Sequence, residues 1–184
     1  MADEFKHPAG PKTSIRLATA SDALPLARLR FAFRSGLGRI SEGEDEFVGR
    51  CEAWMRERLR EGGRWRCWVA ERGQALVGNV WVQPIEKIPN PVAEAEYHAY
   101  VTNFYVRGEA RGEGTGSLLL SGVLEWCKSR DVQAVLLWPT PRSRALYERQ
   151  GFSVRADILG LMMEAWGNAA DEGEEAAHPP PDSR

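Results

Sequence analysis

The chain predicts an α/β domain in which one mixed β-sheet carries about four helices. Two observations lead there. Residues 96–138 run strand, glycine-rich turn, amphipathic helix, strand; in such a βαβ succession the two strands are parallel and the helix crosses over the sheet. The runs RWRCWVAER (64–72) and ALVGNVWVQPI (75–85) flank Gly73 and read as an antiparallel hairpin of the same sheet.

The elements follow in order. Residues 14–19 read as a short strand. Ser21 and Asp22 offer an N-cap for a helix to about Ser35, with Leu26, Leu29, Arg30 and Phe33 at helical spacing and Gly36 beyond it. A second helix spans about 44–61, its apolar stripe formed by Phe47, Val48, Cys51, Trp54, Met55 and Leu59, and Gly62–Gly63 ends it. After the hairpin, EYHAYVTNFYV (96–106) is the most emphatic strand of the sequence. A helix over about 114–129 places Leu119, Leu120, Val123, Leu124 and Cys127 on one side. VQAVLLW (132–138) is nearly all apolar, as in a strand covered on both faces. Residues 141–150 read as a helix stopped by Gly151, and 152–157 and 159–166 as a final pair of strands.

Composition bounds the function. With 184 residues and 43% hydrophobic content, the chain suits one domain, expected over 13–166. Residues 1–12 and the acidic, proline-rich 167–184 read as disordered tails. A net charge of -2 argues against a nucleic-acid surface. No apolar run reaches membrane-spanning length, and the first residues lack the apolar stretch of a leader. The three cysteines form no CxxC pair and read as reduced, mostly buried thiols of a cytoplasmic protein. With three histidines and no HExxH, no metal is expected. Self-association through an exposed sheet edge is compatible with the pattern.

The chemistry concentrates in RGEGTGS (111–117), with three glycines in five positions between the emphatic strand and a helix. The first-turn N–H groups of a helix lack internal partners and carry partial positive charge, which suits phosphate. Gly112, Gly114 and Gly116 are spaced GxGxG, so the dinucleotide fingerprint GxGxxG is absent. A P-loop requires Gly-Lys-Ser/Thr, whereas Gly116 is followed by Ser117 and Leu118. The pattern that fits is Arg/Gln-x-x-Gly-x-Gly/Ala, filled by Arg111, Gly114 and Gly116, with ALYERQGF (145–152) some thirty residues later. On these motifs the chain resembles the GNAT superfamily of N-acetyltransferases over roughly residues 14–166. Gly108, Thr140 and Ser143 depart from common family residues. Thr140 replaces an asparagine that often opens the fourth helix, and with Ser143 it is placed beside the cofactor.

The resemblance implies a mainly antiparallel twisted sheet with a central parallel pair that splays apart, and acetyl-coenzyme A as acyl donor. It implies that Arg111, Gly112, Glu113, Gly114, Thr115, Gly116 and Ser117 cradle the pyrophosphate, and that Phe104, Tyr105 and Val106 pair with the pantetheine arm. Backbone N–H groups there would stabilise the charge that develops on the thioester oxygen. Tyr147 matches the family's acid for the departing thiolate; packing of the fourth helix is its alternative role.

The base remains open among His98, Glu96 and water. An amine of pKa about 10.4 is neutral in only about one molecule in 2,500 at pH 7, so a base within reach has value. His98 is the histidine of the central strand, and alternation places it with Tyr100, Thr102 and Phe104 on one face unless a bulge intervenes. Glu96 is its rival there, and Asn103 is placed to orient a water or substrate.

The acceptor is expected to be a primary amine of a small molecule, amino acid or peptide. SEGEDEF (41–47) would attract a cation, whereas Arg30, Arg34 and Arg39 suit a carboxylate; the two signs stay open. A non-enzymatic acyl-CoA-binding module is the alternative function.

Overall fold

The computed structural model describes residues 12–38, 40–60 and 64–161. Five strands lie in the order β1-β2-β3-β4-β5: β1 (Thr13–Leu17), β2 (Arg66–Arg72), β3 (Ala75–Glu86), β4 (Tyr97–Val106) and β5 (Val132–Leu136). The first four pair antiparallel and β4–β5 is parallel, as the crossover requires. Four helices accompany them: α1 (Ala23–Ser35), α2 (Glu44–Arg58), α3 (Thr115–Ser129) and α4 (Pro141–Glu148).

Each face of the sheet buries its own apolar set. On one, Leu26, Leu29 and Met55 of α1 and α2 meet Cys67, Val69 and Trp81; on the other, Leu119, Val123 and Cys127 of α3 meet Val80, Val82, Ala99 and Val101. Full burial of one such aliphatic side chain contributes roughly 1.5–3 kcal/mol. The spacing of these residues is therefore what seats the crossover helix against β4 and holds the loop before it at the strand's carboxyl end.

Asp22 is the N-cap residue of α1, one of the two the sequence offered, but its side chain makes no bond into that helix. A 3-10 turn over Ala20–Asp22, with Thr19 as its own N-cap, precedes the helix, and the Asp22 side chain turns back to it. The Asp22 carboxylate accepts from the Thr19 backbone N–H at 2.7 Å and from both terminal nitrogens of Arg16 at 2.8 and 2.9 Å. Asp22 is buried, so these bonds replace the water it loses and lock β1 to α1.

The last strands are a correction. Residues 152–161 form no strand, and 162–166 lie outside the described residues. Local bonds win instead. The Phe152 N–H returns to the Tyr147 carbonyl at 3.1 Å, the Phe152 ring packs on Tyr147, and Arg155 pairs with Asp157 across a turn. Among the described residues the parallel pair thus lies at the edge of the sheet. The expected tails, 1–12 and 167–184, fall outside the described residues except for Lys12.

Candidate active site

The glycine loop is built as a cradle. After β4 the chain makes a 3-10 turn (Gly108–Ala110) and enters α3 with Gly114 as its N-cap. Gly112 and Gly114 stand at φ 79° and 81°, the left-handed region that an L side chain strains to occupy. A Cβ at either would meet nothing within 4 Å, so the backbone conformation, not crowding, requires glycine, and the concavity beside it is open. Among the described residues no side chain caps α3, which leaves the first-turn N–H groups of Thr115, Gly116 and Ser117 available for an anion.

The loop's side chains divide their work. Arg111 donates from Nε to the Val106 carbonyl at 2.7 Å and lies over the Tyr105 ring, with its remaining N–H groups toward solvent. Glu113 pairs with Arg72, so only its backbone is available to a ligand. Thr115 is buried and its hydroxyl has no partner among the described residues, while Ser117 is half-buried. Gly116 packs close to Leu146, bringing α3 against α4.

The parallel strands part where a thioester would need room. Pairing of β4 with β5 runs from Tyr97↔Val132 to Tyr100↔Leu136 and stops. From Val101 to Val106, β4 is paired by β3 alone, and its other edge has no ladder partner among the described residues. A bulge lies within this stretch. The β3–β4 register jumps between Asn79 and Trp81, and Asn103 takes φ 47°, which asparagine tolerates better than most residues. Buried Asn79 fixes it, donating from Nδ2 to the Asn103 carbonyl at 2.7 Å.

The bulge corrects the expected alternation. Phe104 does not share a face with His98, Tyr100 and Thr102; it packs with Ala99 and Val101 on the α3 side, while Tyr105 joins Phe33 of α1. Phe104 thereby meets Tyr147, ring centroids 6.0 Å apart.

Tyr147 is carried by a well-capped helix. Thr140 and Ser143 bond each other reciprocally, backbone N–H to side-chain oxygen, and Pro141 opens α4. These two residues therefore act on α4 itself. Tyr147 is buried, and burial pushes its phenol up to about 12, with the Ser143 hydroxyl pulling the other way. At neutral pH it is a proton donor, never a phenolate.

The base candidates lie at the start of β4. His98 is half-buried and paired opposite Ile85 and Ala134, within the unsplayed part of the sheet. At a rise of about 3.3 Å per residue it stands roughly 20 Å along the strand from Phe104. Glu96 is farther still, exposed, and outside the strand, its carbonyl accepting from the Lys87 N–H. Closer to the splay stand Arg30, which the sequence already offered for a carboxylate, and one residue it did not single out, Trp138. Arg30 donates to Asn103 Oδ1 at 3.1 Å, and Trp138 meets Tyr100 edge-on, ring centroids 5.1 Å apart. The signal for Trp138 was the aromatic that closes the apolar run 132–138. Arg34 is half-buried on the same helix as Arg30; Arg39 lies outside the described residues.

Among the described residues no cluster of metal-ligating side chains occurs, and no helix is long and apolar enough to cross a membrane.

Known proteins place this architecture. The chain is similar in fold to a predicted acetyltransferase from Clostridium acetobutylicum with acetyl-CoA, at 19% identity and a TM-score of 0.69, covering 82% of this chain and 96% of that one. A GCN5-related N-acetyltransferase from Ralstonia eutropha matches at 24% identity and TM-score 0.67, covering 82% and 99%. An aminoglycoside N-acetyltransferase in complex with CoA matches at 14% and 0.63, covering 85% and 97%. No curated protein is similar enough in sequence to match. Residues 32–152 match the model of the acetyltransferase (GNAT) family, about two thirds of the chain, and they span the splay, the glycine loop and Tyr147. The chain belongs to the GNAT acetyltransferase family and is an enzyme of that type, built for acetyl transfer.

Proposed function

We propose that the protein is an acetyl-CoA-dependent N-acetyltransferase in which a primary amine attacks the thioester directly. The observation that carries this is the edge of β4 from Val101 to Val106, which has no ladder partner among the described residues, ends at the open glycine cradle and lies beside buried Tyr147. Acetyl-coenzyme A supplies an activated acetyl group. The backbone N–H groups of 112–117, with Arg111, hold its pyrophosphate. The outer edge of Phe104–Val106 receives the pantetheine arm, and its N–H groups donate to the thioester carbonyl oxygen as charge develops there. Such a donor is worth roughly 3 kcal/mol.

Tyr147 donates to the departing sulfur. Against an ordinary thiol of pKa about 8.5, full transfer from a phenol near 12 is uphill by roughly 5 kcal/mol. The apolar pocket that raises the phenol also raises a thiol bound there, and this narrows the gap. Tyr147 therefore acts first as a hydrogen-bond donor that stabilises the thiolate, completing the transfer as the product leaves. From the paired start of β4, before the splay opens, His98 takes the amine's proton through water; Glu96 is more distant and exposed. The acceptor is a small amine, amino acid or peptide.

A panel of amines assayed for thiol release tests the reading, with N-acetyl product identified by mass. Thiol release that no amine stimulates, or an acetyl group found on oxygen or sulfur acceptors alone, contradicts it.

A further inference from the structure

We infer that the acceptor amine also carries a carboxylate, taken up by Arg30 and Arg34 beside the bulge of β4; this rests on the acetyl-transfer reading above. Arg30 is half-buried, its Nη1 donates to Asn103 Oδ1 at 3.1 Å, and its guanidinium stands 5.7 Å from the Phe33 ring centroid. Arg34 follows one helical turn later, close enough that its charge, after burial, lowers the pKa of Arg30. Among the described residues no carboxylate lies within ion-pair distance of either arginine. Two cations placed together and partly desolvated without an anion are unfavourable until an anion arrives.

The acidic residues of the neighbouring helix do not fill that place. Glu42 is paired with Arg50, and Glu44, Asp45 and Glu46 are exposed in the first turn of α2, where the helix dipole favours them. The two signs that the sequence left open are thus separated. The acids are paired or solvated, and Arg30 and Arg34 are half-buried with no carboxylate partner among the described residues.

Position decides which molecule brings the anion. Asn103, which Arg30 holds, is the bulge residue of the very stretch of β4 that lacks a β5 partner. That stretch is where the acetyl group is delivered under the proposed function. The donor's phosphates belong at 112–117, beyond the end of the strand. An anion at Arg30 and Arg34 therefore belongs to the acceptor and aims its amine at the thioester. A guanidinium has five N–H donors in a planar fork and Asn103 engages one, leaving a geometry suited to two-point binding of carboxylate.

The test compares α-, β- and γ-amino acids with their primary amides, which differ in charge and hardly in shape. Parent, Arg34→Gln and Arg30→Gln are assayed by thiol release, and coenzyme A affinity is measured by calorimetry. In parallel, the N-acetylated acids and amides are titrated into coenzyme A-loaded protein, so that anion recognition is read without turnover. The parent should prefer one acid over its amide by about tenfold or more, in rate and in product binding. Arg34→Gln should bring that ratio near one with coenzyme A affinity unchanged. Arg30→Gln should lose the ratio and also lower kcat, because it props the bulge. Equal treatment of acid and amide by the parent, binding of no acid in the series, or a ratio retained in both variants overturns the inference. A slower Arg30→Gln enzyme with its ratio intact makes that arginine a prop alone and likewise overturns it. Acid-selective product binding without thiol release from any acceptor supports the anion site and contradicts the acetyl-transfer reading instead.

Discussion

Tyr147 and Phe104 stand edge-on, ring centroids 6.0 Å apart, although 43 positions separate them in sequence and one belongs to a helix, the other to the splayed strand. The bulge at Asn103 makes this meeting possible by turning Phe104 to the α3 side of the sheet. The strand edge that we propose for the thioester and the phenol that we propose for the departing sulfur are thereby joined through one aromatic contact. Tyr147→Phe keeps that contact and the burial, removing only the hydroxyl. We expect kcat to fall by roughly 10²-fold with coenzyme A affinity and melting temperature little changed. Steady-state kinetics beside calorimetry checks this; turnover equal to the parent would return Tyr147 to a packing role.

Gly114 carries two requirements at once. Its φ of 81° makes any L residue strained, by about 1–2 kcal/mol for alanine, before a ligand is considered. It is also the N-cap of α3, at the open cradle that we assign to pyrophosphate. Gly114→Val should thus lower stability modestly and weaken acetyl-coenzyme A binding sharply. Denaturation separates the first effect, and calorimetry on folded protein reads the second. An affinity equal to the parent's would remove the phosphate from this loop.

Asp22 ties stability to pH. Arg16 beside it, aided by the Thr19 backbone N–H, holds its carboxyl below the usual aspartate range against the opposing effect of burial. A carboxyl with a lowered folded pKa stabilises the fold above the unfolded value, about pH 4 for aspartate, and that contribution is lost as pH falls through the folded value. Asp22→Asn should cost about 2 kcal/mol at pH 7, where a charge-assisted pair becomes a neutral one. The gap between parent and variant, read by urea denaturation, should narrow below about pH 4. A gap that stays constant into strong acid would mean that charge is not what Asp22 contributes.

The sequence carried the crossover, the hairpin and the glycine cradle because each rests on local rules: alternation, helical spacing, and glycine where φ must be positive. Gly112 and Gly114 obey that rule at the expected positions. What the sequence concealed is non-local. Nothing in TNFYV announces that Asn103 bulges, because the cause, the side chain of Asn79, sits 24 residues away on the neighbouring strand. One bulge moved Phe104 to the other face and left Tyr100 beside Trp138. Arg30 and Arg34 of α1 were visible, but that no carboxylate among the described residues pairs with them was not, since it depends on where α2 places its acids. Residues 152–157 followed a strand pattern and were instead held by short-range bonds to Tyr147 and Asp157.

His98 carries the most exposed of these assignments. It is the histidine of β4, half-buried on the same face as Tyr100 and Thr102, but it lies in the paired part of the sheet. Direct proton abstraction at the splay is therefore out of reach, and water must bridge the distance. The acceptor's own ammonium has its limb near pH 10, so a base has most value well below that. His98→Ala should therefore lower kcat/KM for a good acceptor by roughly 10-fold to 10²-fold at pH 7, and by much less near pH 10, where the amine supplies its own neutral form. The discriminating measurement compares parent and variant at those two pH values. A variant that keeps most of its activity at pH 7 would show that water alone receives the proton, or that it travels on to Glu96. Glu96→Gln would then decide between those two.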